Sequence, residues 1–244
     1  MFPELAEAFA PLAYSPPGRG SLLLGGLLAT IGIALGAYAV GLTLGLLGAL
    51  GKLHGVAPLR WFLEGYTTVV RAVPELVLIL LIFYAGTAAI NALLVSIGYR
   101  PIDLNPVFTG IMVIGFVMGA YATEVIRGAI RTVPKGEVEA SKAYGFSSWQ
   151  TLTRVTLPAM LPLAIPGLAN LWLIVIKDTA LLAVIGSIEL ATVTKQSAAS
   201  TRLYLTFYLA AFFIYLGLAL ASMYGIRQLE NYFRRGQKSV AQGA

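Results

Sequence analysis

The amino-acid sequence predicts an all-α, polytopic membrane protein with five transmembrane helices and no large soluble domain. Hydrophobic side chains make up 58% of the 244 residues and charged ones only 11%, too few to clothe a water-soluble globule. Five runs free of charged residues stand out, at Gly20 to Gly51, Leu76 to Tyr99, Leu104 to Thr123, Val155 to Ile176 and Leu203 to Ile226. Each can cross a hydrocarbon core of about 30 Å, which takes about 20 helical residues. Together they take up about half the chain, so residues 1–244 read as one transmembrane domain.

The first run exceeds one span, so it tilts or carries an interfacial turn, and Gly32/Gly36 and Gly41/Gly45 offer small faces for close packing. It follows some twenty polar, proline-bearing residues, a pattern expected of a retained span rather than a cleaved signal peptide. Ahead of the second run lie Trp61, Phe62 and Tyr66, an aromatic girdle suited to a membrane interface. Arg71 and Glu75 follow, and Pro74 between them removes a backbone hydrogen bond and frees the carbonyl near Val70. If the helix enters near Phe62, the rise to Glu75 is roughly 20 Å, close to mid-membrane. The fourth span is expected to start near Leu161 and to run through Lys177 and Asp178 toward Ile185, because Pro158 and Pro162 suit a helix entrance.

Between the third and fourth runs lies the least hydrophobic stretch of its size, Gly128 to Met160, which reads as two short helices. Pro134 suits a first turn, Glu137 and Glu139 place negative charge at the positive end of the helix dipole, and Lys142 sits near the other end. Gly145 can adopt the left-handed conformation that ends such a helix. Ser147 with Gln150 makes a capping box for the second helix, which is expected to end near Pro158.

Lysine and arginine fall unevenly about the five runs. Lys52, Arg60, Arg127, Arg131, Lys135, Lys142, Arg154, Arg227, Arg234, Arg235 and Lys238 lie on one side. Arg19, Arg100, Lys195 and Arg202 lie on the other, with Arg71 and Lys177 in or near the membrane. The positive-inside rule then puts the N-terminus outside and the C-terminus in the cytoplasm.

Several functions are disfavoured by what the chain lacks. With no cysteine and one histidine, His54, there is little from which to build a metal centre, a disulfide framework or a hydrolase triad. No metal site and no enzymatic activity are therefore expected. Gly51-Lys52-Leu53 is not a P-loop, because the glycine five positions before Gly51 is replaced by Leu46 and the hydroxyl after the lysine is missing. The chain is expected to bind no cofactor itself. The short hairpin carries only Arg154 with Trp149 and apolar residues in its second helix, which disfavours nucleic acid as a partner.

The hairpin carries a more specific signal. Glu139-Ala140-Ser141, then Gly145 after three residues, then Val155, Leu157 and Pro158 after nine more, resemble the "EAA" loop of bacterial ABC importer permeases. Ser141 replaces the second alanine and Val155 a common isoleucine. Arg127-Gly128-Ala129-Ile130, Val133-Pro134-Lys135-Gly136, Asn170 and Lys177-Asp178-Thr179-Ala180-Leu181 resemble the polar amino acid branch. Glu64-Gly65-Tyr66-Thr67-Thr68, Arg71-Ala72-Val73-Pro74-Glu75-Leu76 and Leu81-Ile82-Phe83-Tyr84 are similar to the Q-type permeases for histidine, lysine, arginine, ornithine and opines. The resemblance runs from about Leu23 to Arg235. It implies a bacterial inner-membrane permease subunit, importing histidine or another cationic amino acid through an alternating-access pathway. It also implies partners: a second permease subunit, identical or paralogous, two ATPase subunits holding ATP and magnesium, and a periplasmic substrate-binding protein. Pro134, Glu137, Glu139, Ala140, Gly145, Leu157 and Pro158 then become the contacts that couple to the ATPase.

Charges in a membrane usually face protein or a wet cavity. Glu75 and Asp178, with Lys177, Asn170, Thr179 and Arg71, are the candidate pathway residues, Glu75 foremost. Each has a structural alternative. Arg71 and Glu75 can pair at i,i+4, Lys177 and Asp178 can snorkel, and Asn170 can bridge helices. Glu124 is expected to pair with Arg127, and His54 to be a solvated loop residue. The competing function is a self-sufficient secondary carrier or channel coupled through intramembrane carboxylates, for which five spans without an inverted repeat are poorly suited.

Overall fold

The computed structural model describes residues 10–234. After a single 3-10 turn at Ala10–Leu12, eight helices follow among the described residues, and no strand. They are α1 (Gly20–His54), α2 (Ala57–Ala72), α3 (Glu75–Ser96), α4 (Pro106–Thr132), α5 (Lys135–Ala143), α6 (Ser148–Ile185), α7 (Leu190–Thr201) and α8 (Tyr204–Arg234). Helices α1, α3, α4, α6 and α8 are long and apolar enough to cross a membrane, matching the five expected spans. Arg235 and Lys238 of the charge count lie outside the described residues.

Helix α4 is the hub. Of its most apolar stretch 56% is buried, against 6% for α8, which leaves one long face of α8 open. Ile33, Ala34 and Ala37 of α1, Ile79 of α3, Val113 and Met118 of α4 and Val175 and Ile176 of α6 form the main core. Helices α1 and α4 approach closely because glycines line both sides of their contact. A Cβ on Gly45 would fall on the Cβ of Ala122, and one on Gly115 would lie 2.7 Å from Val40 Cβ. Gly41 is used in the same way against Met118, whereas a Cβ on Gly32 would meet nothing, so the expected Gly32/Gly36 face is only half used. The first run carries no interfacial turn; it is a single helix of 35 residues, about 52 Å long.

Three boundaries differ from expectation. Helix α2 is separate from the second span, because Val73 (φ −101°, ψ 138°) and Pro74 (φ −55°, ψ 135°) are extended and proline drives the residue before it out of the helical region. The second span therefore starts at Glu75 and not near Phe62, which removes the basis for a 20 Å depth. Trp61 and Phe62 are exposed on α2, but Tyr66 turns inward and donates its hydroxyl to the Phe116 carbonyl at 2.5 Å. Burial pushes the Tyr66 hydroxyl up to about 12, so it remains a donor.

The fourth span does not start near Leu161, nor does the hairpin's second arm end near Pro158. Both belong to α6, which runs from Ser148 to Ile185 through a π turn at Leu152–Thr156. That wider turn accommodates the Pro158 ring, which in a regular α-helix would strike the Arg154 carbonyl. The third difference is α7, a helix between the last two spans that carries the exposed Lys195.

Lys52, counted above as a loop cation, is buried at the end of α1. Its ammonium donates to Thr67 Oγ1 at 2.6 Å and meets Glu124 at 2.7 Å and Glu64 at 2.9 Å. Arg127 completes the cluster by pairing with Glu124, as expected. The group ties α2 to α1 and α4 just where the chain leaves the first span. His54 is exposed, again as expected.

Candidate functional site

Two breaks in regular helix place the two foremost carboxylates. Glu75 is the first residue of α3 after the extended Val73-Pro74 step, so its charge sits at the positive end of that helix. Asp178 closes the α-helical part of α6, which then tightens to a 3-10 tail over Thr179–Ile185 and stops at Gly186. Both line one cavity of about 150 Å³ between α3, α4 and α6. Tyr121 of α4 lines it too, with Val117, Leu171 and Val175 forming apolar wall.

Arg71 and Glu75 do not form the i,i+4 pair considered from the sequence, since the helix is broken between them and no ion pair joins them among the described residues. The Arg71 guanidinium carbon instead lies 5.7 Å from the centroid of the Tyr121 ring, within cation–π range. Asp178 and Lys177 face different cavities, as adjacent helical residues about 100° apart can. Lys177 lines a different cavity, about 320 Å³, with Phe212 and Tyr215 of α8. Thr179 is fully buried and donates to the Ile176 carbonyl at 2.8 Å, and Asn170 is exposed two turns before Asp178, outside the carboxylate cavity. Of the six pathway candidates the structure brings together Glu75 and Asp178, places Arg71 beside them across Tyr121, and turns the other three elsewhere.

This arrangement has a definite chemistry. Two carboxylates, a phenol and apolar walls suit a ligand that presents a cation on an aliphatic stem. A cation between the carboxylates also relieves their mutual repulsion, so occupied and empty states differ electrostatically.

The first arm and the turn of the hairpin are built much as the sequence predicts. Pro134 is the N-cap of α5, one position earlier than expected, with Glu137 in the first turn and Lys142 in the last. Gly145 has φ +82°, its N–H donates to the Lys142 carbonyl at 2.9 Å, and the Phe146 N–H donates to the Ser141 carbonyl at 3.1 Å. The Ser147–Gln150 capping box starts α6, with Gln150 N–H on Ser147 Oγ and Ser147 N–H on Gln150 Oε1. Ser141 Oγ and Thr151 Oγ1 meet at 3.0 Å and join the two arms, giving the serine at the second alanine position of the motif a structural use. Leu157 packs against Ile126, Val133 and Met160 at the base, and Pro158 follows the π turn. Glu139, Ala140, Tyr144 and Trp149 are exposed.

Sequence reasoning missed Glu189. This carboxylate is fully buried and caps α7, accepting from the Ala191 and Thr192 N–H groups at 2.8 and 2.7 Å. It also accepts from Thr30 of α1 at 3.4 Å and from the Tyr215 hydroxyl of α8 at 3.1 Å, so one side chain holds three helices. Glu189 is outside the usual capping set of Ser, Thr, Asp and Asn, so the readable signal was only acidic charge at the start of a helix. Tyr121 carried no such signal, because nothing in an apolar span marks which aromatic faces a cavity.

Comparison with known proteins identifies the family. Residues 41–235 match the family described as "Binding-protein-dependent transport system inner membrane component". The chain is 38% identical over 221 residues to the histidine/lysine/arginine/ornithine transport system permease protein HisQ of Salmonella typhimurium, covering 91% of this chain and 97% of that one. It is also 38% identical over 230 residues to the nopaline transport system permease protein NocQ of Agrobacterium fabrum, covering 93% and 98%. A solved structure described as an amino acid ABC transporter with histidines superposes with a TM-score of 0.75 at 25% identity, covering 88% of this chain and 95% of that one. The chain therefore belongs to the inner-membrane components of binding-protein-dependent transport systems, as a permease subunit.

Proposed function

We propose that this permease subunit imports histidine or another cationic amino acid, and that the Glu75–Asp178 cavity receives the cationic end of the substrate. The observation that carries this reading is the convergence of two carboxylates, far apart in sequence, on one cavity between three spans at two helix breaks. Broken helices are where transporters commonly place such sites. The names of the similar permeases, which specify cationic amino acids and opines, point to the same class.

In this reading the chain forms half of the pathway, the other half being a second permease, identical or paralogous. The open face of α8 supports a partner. Two ATPase subunits binding ATP and magnesium drive the cycle, and a periplasmic binding protein delivers the substrate. The hairpin docks on an ATPase through Glu139 and its exposed neighbours, with Pro134, Glu137, Ala140 and Gly145 shaping the first arm and Leu157 and Pro158 anchoring the second. The lysine and arginine distribution puts the hairpin in the cytoplasm and the N-terminus in the periplasm.

Uptake by the assembled complex tests the assignment of Glu75. Glu75→Gln keeps shape and most hydrogen bonding but removes the charge. It should lower uptake of arginine or lysine about tenfold, the equivalent of about 1.4 kcal/mol, and spare a neutral ligand delivered by the same binding protein. Equal loss for every substrate would assign Glu75 a structural role, and no loss would move the site to Asp178.

A further inference from the structure

A buried polar cluster lies where the 3-10 tail of α6 turns into α7. Gly186 (φ +80°) ends the tail, and Glu189 is extended (φ −145°, ψ −175°) just ahead of α7. Side chains alternate along an extended segment, and here Ile188 is 62% exposed while Ser187 and Glu189 are both fully buried. Ser187 and Glu189 therefore point into the same interior space, where Thr30 of α1 and Tyr215 of α8 also reach the carboxylate. The Ser187 hydroxyl is the one buried side-chain polar atom among the described residues that lacks a hydrogen-bond partner. An orphan hydroxyl in a closed interior marks the place of a bound ion or water.

The surroundings favour an ion. Glu189 pairs with no lysine or arginine among the described residues, and hydrogen bonds spread a buried charge without cancelling it. The positive end of α7 is already engaged by the carboxylate through the Ala191 and Thr192 N–H groups. Around it, lone pairs outnumber protons. Thr192 has a single hydroxyl proton and two acceptors within reach, the Ser187 carbonyl at 2.7 Å and Glu189 Oε1 at 3.0 Å. Tyr215 stands 3.1 Å and Thr30 3.4 Å from Glu189 Oε2, and each hydroxyl keeps lone pairs after donating its proton. These are all hard oxygen ligands, which suit alkali and alkaline-earth cations, and one carboxylate among neutral groups balances a single positive charge.

We propose that this cluster binds one monovalent alkali cation, held by the Glu189 carboxylate and the Ser187, Thr30 and Tyr215 hydroxyls. The ion is structural and not cargo, since none of these four residues lines the Glu75–Asp178 cavity. It neutralises the buried carboxylate and ties the end of α6 to α1, α7 and α8, fixing the tail that begins just after Asp178.

The test melts the full-length chain, purified in detergent, in sodium or potassium chloride against choline chloride of equal ionic strength. In at least one of the two alkali salts wild type should show a saturable rise, reaching about 3 to 6 °C at about ten times the half-saturating concentration. Ser187→Ala should raise that half-saturating concentration at least about fivefold. In choline chloride the same variant should melt no lower than wild type, because without the ion it only deletes an unpaired buried hydroxyl. Glu189→Gln keeps shape and most hydrogen bonding but removes the charge, and should abolish the salt response. Tyr215→Phe should weaken it, and with Ser187→Ala carries the test should Glu189→Gln melt early. Equal melting of wild type in all three salts overturns the proposal. So does a fall for Ser187→Ala that is the same in every salt, which assigns its hydroxyl to a bound water, or an unaltered salt response in both Ser187→Ala and Tyr215→Phe.

Discussion

Replacing Lys52 by methionine removes the one cation that joins α1, α2 and α4 while keeping most of its buried stem. The lysine side chain is 1% exposed and has three oxygen partners, on Thr67, Glu64 and Glu124. Removing one partner from a fully buried ion pair costs about 3 to 5 kcal/mol because a naked charge remains. Here the penalty is smaller. Glu64 is 56% exposed and rehydrates, and Glu124 keeps Arg127. What is lost in full is one charge-assisted contact to a carboxylate that is 18% exposed, plus the Thr67 bond, so the expected destabilisation is about 2 kcal/mol. At about 2 to 4 °C per kcal/mol for a chain of this size, melting in detergent should fall by about 4 to 8 °C. A loss below about 0.5 kcal/mol, the scale of an exposed pair, would show that the cluster is solvated and would refute the argument.

Other consequences follow from particular contacts. Gly45→Val drives a branched side chain into Ala122 and should cost about 1 to 3 kcal/mol in the same melts, whereas Gly32→Ala, with open space before it, should change stability by less than about 0.5 kcal/mol. Gly145→Val forces a branched residue toward φ +82° and should reduce uptake per ATP hydrolysed in the assembled transporter, with insertion of the chain unchanged. Normal coupling in that variant would remove the turn from the transmission path. Glu189→Ala strips the cap from α7 and strands the Thr30 and Tyr215 hydroxyls, and should cost about 1 to 2 kcal/mol with faster hydrogen exchange confined first to α7.

The parts of this protein legible in its sequence are those governed by local rules. The five spans follow from charge-free length, and the hairpin follows from Gly145, Ser147 and Gln150, whose chemistry acts within a few residues. The boundaries at Pro74 and Pro158 show the limit of that logic. Both prolines invite a helix break, yet only the first produces one, because a π turn ahead of Pro158 absorbs its ring. Three-dimensional neighbours were less accessible still. Positive-inside counting treats Lys52 as a loop charge, and only the packing of α2 and α4 around it shows that it is buried. That Asp178 faces Glu75 while Lys177 faces α8 is half written in helical periodicity, which separates the two side chains. Which one faces the cavity depends on where α3 lands against α4 and α6, and no pattern within one helix encodes that.

If this chain is half of a pathway driven from outside itself, reconstitution with and without its partners will show it. Proteoliposomes holding this permease with its partner permease, ATPase subunits and binding protein should accumulate labelled arginine, lysine or histidine only when ATP and magnesium reach the ATPase. Proteoliposomes holding this chain alone should show no uptake under an imposed proton or sodium gradient. Concentrative, gradient-driven uptake by the chain alone would contradict the account and identify a self-sufficient carrier instead.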